Sequence, residues 1–371
     1  MIDRRIVPKF DWTPLIAILT LIAVGLVSVY SATYSMDGGR HSLFVHQIYW
    51  LVIGLVAMGA MMTIDYHSLA RWGYVLYGIA VAFLVLVLVM GRSGMGAQRW
   101  LALGPLSFQP SEMAKLFLVV ALARYFSDDM INDGHTLKEL VKPFLMVVGP
   151  VLLVMKQPDL GTALMFMFIF CAMAVVSGIR LKSFMMLVGT FALAAPVAWS
   201  FFWGHLKDYQ KKRILVFISP DSDPSGAGYH IIQSKIAIGS GGITGKGFLN
   251  GTQSQLSFLP ERHTDFIFSV VSEEWGFVGS LLLLLIYLFI ILWGLETAHK
   301  AKDRFGALLA VGAVSMLTFY VVINVGMTLG IMPVVGVPLP LVSYGGTSAV
   351  TTLMALGILL NVYRRRFQLF Y

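Results

Sequence analysis

Charge is what this chain of 371 residues has least of. Asp, Glu, Lys and Arg together make up 12% of it, against 57% hydrophobic residues and a mean hydropathy of +0.79. Soluble domains are about one quarter charged, so a wholly water-facing surface is excluded and a polytopic membrane protein is implied. Cysteine is nearly missing. The single Cys171 rules out an intrachain disulfide and a cysteine metal cluster, and its apolar surroundings point to a packing role. A basic domain is missing too: the net charge is +8, but the cations sit between apolar runs, which excludes nucleic acid as a partner. No tandem repeat or low-complexity tract divides the chain, so one membrane domain over 1–371 is expected.

What is present is a series of long apolar runs. Arg4, Arg5 and Lys9 precede the first, from Trp12 to about Ala32. It exceeds the roughly 7–15 residues of a signal-peptide core, so it reads as an uncleaved span. At about 20 residues per span there is room for ten, placed at 13–33, 46–64, 73–90, 108–126, 143–156, 160–178, 183–203, 266–294, 306–331 and 342–362. Basic residues concentrate on one set of connections, with Arg4, Arg71, Lys138, Lys300 and Arg364 among them. The opposite short connections carry only Arg40, Arg92, Arg99 and Lys156. By the positive-inside rule both termini are cytoplasmic and the span number is even. The expected fold class is an all-α polytopic membrane protein of about ten transmembrane helices. Its long connection, 204–265, is extracytoplasmic and joins helices seven and eight.

That connection places Tyr229, Ile232 and Ile236 at helical spacing, which suits a helix lying along the interface. Six glycines follow between Gly239 and Gly251. They are no Walker A loop, because Ser240 and Gly247 stand where the motif needs glycine and Ser or Thr. Backbone approach to a headgroup is one reading, and plain loop flexibility is the simpler one. The fifth segment, 143–156, is short and holds Pro143 and Pro150, so it either borders a substrate site or forms a tight hairpin.

Four polar constellations fall on the extracytoplasmic side. In Gln109-Pro-Ser-Glu-Met-Ala-Lys115, Glu112 and Lys115 share a helical face and can pair. Lys115 lies inside a span, where an ammonium normally faces a cavity; a capped helix start is the plainer reading. Asp159 precedes an apolar helix, as an N-cap does. Glu261-Arg-His-Thr-Asp265 sits where the long connection re-enters the bilayer, with capping by Thr264 or Asp265 as the ordinary explanation. Pro333 to Gly346 is a proline-stiffened loop in which Tyr344 suits an interfacial anchor. Asn324, a lone intramembrane amide, suits helix–helix contact. There is no Ser/His/Asp order and no His or Cys metal set. Acids and cations at one membrane face suit transfer on an anionic, lipid-linked molecule. Lys and Arg, with a divalent cation on a carboxylate, would bind phosphate, and a carboxylate would take a proton from an attacking hydroxyl.

At these motifs the chain resembles the SEDS family (shape, elongation, division, sporulation). The resemblance rests on Gly96-Ala-Gln-Arg-Trp100, Gln109 to Lys115, Gln157-Pro-Asp-Leu-Gly-Thr162, Gly228 to Gly242, Phe258 to Phe268 and Pro338 to Gly346, and covers nearly the whole chain. It implies a peptidoglycan glycosyltransferase that polymerises lipid II at the outer face of the bacterial cytoplasmic (inner) membrane during elongation and rod-shape maintenance. The transfer would invert C1 and expel undecaprenyl pyrophosphate. The family's essential aspartate falls on Asp265, as general base or as holder of a divalent cation, Mg or Mn. Glu112 and Lys115 carry over as a cavity pair, and Arg99, Trp100 and Asp159 as cavity or substrate positions. Arg262, His263 and Lys235 are further substrate-binding candidates within the resembling stretches. A class B penicillin-binding protein (the transpeptidase) and other elongation-machinery proteins are the implied partners. A flippase for the lipid-linked precursor is the rival reading, and a scaffold that only holds a partner enzyme is a third.

Overall fold

In the computed structural model of the protein, residues 11–35, 42–94, 97–103, 106–128, 134–180, 226–256 and 261–366 are described, with a few positions between them. The helices are α1 (Thr13–Tyr34), α2 (Ser42–Thr63), α3 (Tyr66–Met90), α4 (Pro110–Asp128), α5 (Leu137–Lys156), α6 (Leu160–Gly178), α7 (Ala227–Ser240), α8 (Thr252–Gln255), α9 (Ile267–His299), α10 (Arg304–Thr328) and α11 (Gly346–Arg365). Among the described residues, α1, α2, α3, α6, α9, α10 and α11 are long and apolar enough to cross a membrane. Local signals start them. Proline stands in the first turn of α1. Asp65 caps α3 through His67 N at 3.1 Å, and Asp303 caps α10 through Gly306 N at 2.8 Å.

The segments expected from hydropathy fall on helices, except 183–203, most of which lies outside the described residues along with most of 204–225. Three expectations need correction. The fifth helix is not short: α5 has 20 residues and keeps Pro143 and Pro150 inside it. Lys138, Glu139 and Lys142 in its first turns lower the hydropathy there and hide the start. The fold is not purely α-helical, because β1 (Arg92–Gly94), β2 (Ala97–Leu103) and β3 (Leu106–Phe108) form an antiparallel sheet in the order β1-β2-β3. Cys171 faces outward from α6 instead of packing in the core.

The centre of the bundle is α10, which packs on α4, α6, α9 and α11. Its glycines let neighbours close in: a Cβ at Gly312 would strike the Val119 side chain of α4. Such van der Waals contact is the main source of helix association in lipid, where apolar burial contributes little. Alternating helix directions bring the starts of α4, α6, α9 and α11 to one end of the bundle, with the ends of α5 and α10. Bonds from Arg99 to Gln157 O, Gln109 N to Thr347 Oγ1 and Asn324 to Asp265 O tie that end together. All of the sequence-predicted site residues are there.

Candidate active site

Asp265 closes a turn, 261–266, that leads into α9. The N-cap position of that helix is Phe266, one residue further on, with no side-chain cap bond. Its side chain is half-buried and faces the 333–345 loop, where a Cβ on Gly336 would sit 3.4 Å from Asp265 Oδ2. Gly336 has φ +73°, which side-chain-bearing residues rarely adopt. Turn and loop are stitched along their backbones. Tyr344 N donates to His263 O at 2.8 Å, Ser343 Oγ to Thr264 O at 2.6 Å, and Asn324 Nδ2 to Asp265 O at 2.9 Å. Both segments hold a non-glycine residue in the left-handed region, Glu261 at φ 50° and Leu341 at φ 64°. Such residues persist where the surroundings over-determine them. His263 lies against Tyr344, ring centroids 5.7 Å apart, so this tyrosine is part of the stitched turn and not only a membrane anchor.

One turn below Asn324 on α10 stands Tyr320. Its hydroxyl donates to Glu112 Oε2 at 2.6 Å, and Lys115 Nζ donates to Glu112 Oε1 at 2.6 Å and to the tyrosine hydroxyl. Lys115 and Glu112 are both buried, and the ammonium lies 4.7 Å from the Tyr320 ring centre. The predicted pair is therefore present, with a third member from a distant helix. Tyr320 and Asn324 are four residues apart on an apolar helix, so they share a face. That spacing was the signal available for both.

The Asp159 group approaches the same loop from α6. Asp159 accepts from Thr162 N at 3.1 Å and Thr162 Oγ1 at 3.0 Å, as an N-cap does. Arg99 from β2 donates to Gln157 O at 3.0 Å and to Pro158 O, with Nη1 3.9 Å from Asp159 Oδ2. A Cβ on Gly161 would crowd Val335 O and Val337 of the loop whose Gly336 faces Asp265. Trp100 is half-buried beside Arg99 on β2. Lys235 on α7 is exposed, and its side chain lies over Gly330 just past the end of α10. Buried Ser234, the preceding residue, locks α7 down through Ser269 Oγ and Thr328 O, each at 2.7 Å.

Arg262 stands elsewhere than expected. It is 1% exposed and donates to Ala32 O and Ser35 Oγ, each at 2.8 Å, and to Ser254 O. This is a staple from the turn to the end of α1, not a headgroup contact, and burial lowers the guanidinium pKa. The glycine-rich piece is likewise structural, not a flexible loop. The α9 helix breaks at Gly276 (φ 65°, ψ −162°), and the loop packs into the break. Gly247 N donates to Glu274 O at 2.9 Å and Phe277 N to Gly242 O at 2.9 Å, while a Cβ on Gly245 would strike Glu274 O. Glu273 takes Lys246 Nζ at 2.8 Å and Gln253 N at 2.9 Å, and Glu274 takes Ser31 Oγ.

Among the described residues no three His, Cys, Asp or Glu side chains converge as a metal cage. A lone carboxylate such as Asp265 suits only a cation held chiefly by substrate phosphates and water.

The cell cycle protein family of FtsW, RodA and SpoVE matches residues 12–368. Peptidoglycan glycosyltransferase MrdB of Escherichia coli K12 is 43% identical over 356 residues, 96% of this chain and 94% of that one. Peptidoglycan glycosyltransferase RodA of Treponema pallidum is 33% identical over 98% of this chain and 99% of its own. Among solved structures, a chain described under structural coordination of polymerization and crosslinking by a peptidoglycan synthase complex superposes with a TM-score of 0.81. It shares 35% identity over 97% of this chain and 99% of that one. The rod shape determining protein RodA of Thermus thermophilus superposes at 0.71, with 34% identity and the same coverage. A multi-pass helical bundle with a polar site at one end thus defines the class, and the chain belongs to the FtsW, RodA and SpoVE family.

Proposed function

We propose that this chain, a peptidoglycan glycosyltransferase by its whole-length relatedness to proteins of that activity, polymerises lipid II at a site centred on Asp265. The observation that carries the assignment is that the Asp265 carboxylate faces Gly336 of the 333–345 loop from a turn that α10 and that loop hold from outside. The Asp265 carboxylate would take the proton of the acceptor sugar's 4-hydroxyl as that oxygen attacks C1 of the donor with inversion. The C1–O bond to undecaprenyl pyrophosphate then breaks. The exposed Lys235 ammonium and the Arg99 guanidinium are the cations offered to the diphosphate. The Glu112–Lys115–Tyr320 triad would line the inner wall of the cavity. Asp265 is also the residue that would hold Mg or Mn, which when bound would neutralise diphosphate charge.

The membrane arrangement in this reading is ten spans with both termini in the cytoplasm. The 204–265 connection lies outside the bacterial inner membrane. A class B penicillin-binding protein is the partner, which the likeness to a chain of a peptidoglycan synthase complex supports. Polymerisation by the purified protein with that partner, compared with Asp265→Ala, tests the site. An inactive, folded variant is expected, and a variant that polymerises like wild type removes Asp265 from the mechanism. Transport of lipid II across vesicles without glycan synthesis would favour the carrier.

A further inference from the structure

The carbonyls of His263, Thr264 and Asp265 are three in a row, and each is caught by a donor from outside its own turn. Two of those donors are side chains with second bonds into the loop that the Asp265 carboxylate faces. Asn324 is fully buried and donates to Asp265 O at 2.9 Å and to Val337 O at 2.8 Å. Carbonyls only accept, so the NH2 end of the amide must be the end that meets both. Ser343 donates to Thr264 O at 2.6 Å while accepting from Leu339 N at 2.8 Å. An amide or hydroxyl that only joined helices would bond helix to helix. These two bond the Asp265 turn to the stretch of loop that follows Gly336, whose Cβ position is 3.4 Å from the carboxylate.

We infer that Asn324 and Ser343 are positioning residues that set the place of the Asp265 carboxylate against the acceptor hydroxyl. The inference rests on Asp265 being the base. Losing either donor frees the turn to shift against the loop, and a misplacement of about 1 Å costs on the order of 10²-fold in rate. The binding cations lie on other elements, so substrate affinity should hold.

The test is steady-state polymerisation by full-length protein with its transpeptidase partner, using Asn324→Ala, Ser343→Ala, Ser343→Thr and Asp265→Ala. Asn324→Ala and Ser343→Ala should lower kcat by about 10²-fold with KM little changed, and Ser343→Thr, which keeps the hydroxyl, should recover most of the rate. Wild-type kcat in either folded alanine variant overturns the inference, as does a rise in KM alone. If Asn324→Ala does not fold, the Ser343 pair decides, since it differs by one hydroxyl. A fully active Asp265→Ala would remove the base and this inference with it. An inactive Asp265→Ala beside normal Asn324→Ala and Ser343→Ala would remove the inference alone.

Discussion

At the end of the bundle away from the site, Asp65 and Asp303 cap α3 and α10, Tyr66 donates to Asp303, and Arg365 Nη1 lies 3.8 Å from Asp65. At the site end Asp159 caps α6 in the same manner. Asp265 stands before an equally apolar helix, one residue ahead of its N-cap position Phe266. Three aspartates in like positions thus have a structural task on their own helix, and the fourth sits on a turn that other elements hold. Position before a helix does not distinguish them; the bonds from distant elements to the backbone around Asp265 do.

The contrast can be broken in several places. The largest effect belongs to the buried pair at the site end. Lys115→Ala leaves Glu112 buried with only the tyrosine, and removing one partner of such a pair costs about 3–5 kcal/mol. Denaturation of Lys115→Ala, Glu112→Ala and the double variant should show the double losing less than the two singles together. Additivity would mean that the groups do not act as a pair. Next comes Gly336→Ala, which forces a side chain into φ +73° at about 1–2 kcal/mol and crowds the Asp265 carboxylate. Its polymerisation rate should fall further than its stability, and equal losses would place Gly336 outside the site. At the opposite end Asp303→Ala should cost about 1 kcal/mol and leave turnover per folded molecule unchanged. A specific loss of rate there would erase the distinction between the two ends.

The smallest effect concerns His230 on α7, whose ring packs beside Phe266 with centroids 6.2 Å apart. Burial pushes its pKa below the ordinary histidine value, partly opposed by Glu261 and Asp223. A base depressed in the fold binds its proton more readily when unfolded. Its contribution is therefore complete above the unfolded value, about 6.5, and declines as pH falls from there toward the folded pKa. The melting temperature of wild type should drop more between pH 7 and 5 than that of His230→Phe, and parallel curves would refute this.

Local features were legible from sequence. Hydropathy located α1, α2, α6 and α9 to α11, and i,i+3 spacing gave the Glu112–Lys115 pair. The cap at Asp159 followed from an acid before an apolar run. What could not be read were contacts between distant segments. Tyr320 is 208 residues from Glu112, and Arg262 is 230 from Ala32. No local pattern says that Arg262 turns inward as a staple, or that the glycines from Gly241 to Gly247 exist to enter a break in α9. The 92–108 sheet was missed because its strands are short and lie between spans, where only a helical period was sought.

The central claim is that the charge on Asp265, and not its bulk, drives the reaction. Asp265→Asn keeps the shape and removes the charge, so it tests that claim most directly in a single-turnover polymerisation assay with lipid II binding measured alongside. Binding near wild type with polymerisation abolished is the predicted result; polymerisation at the wild-type rate would contradict it.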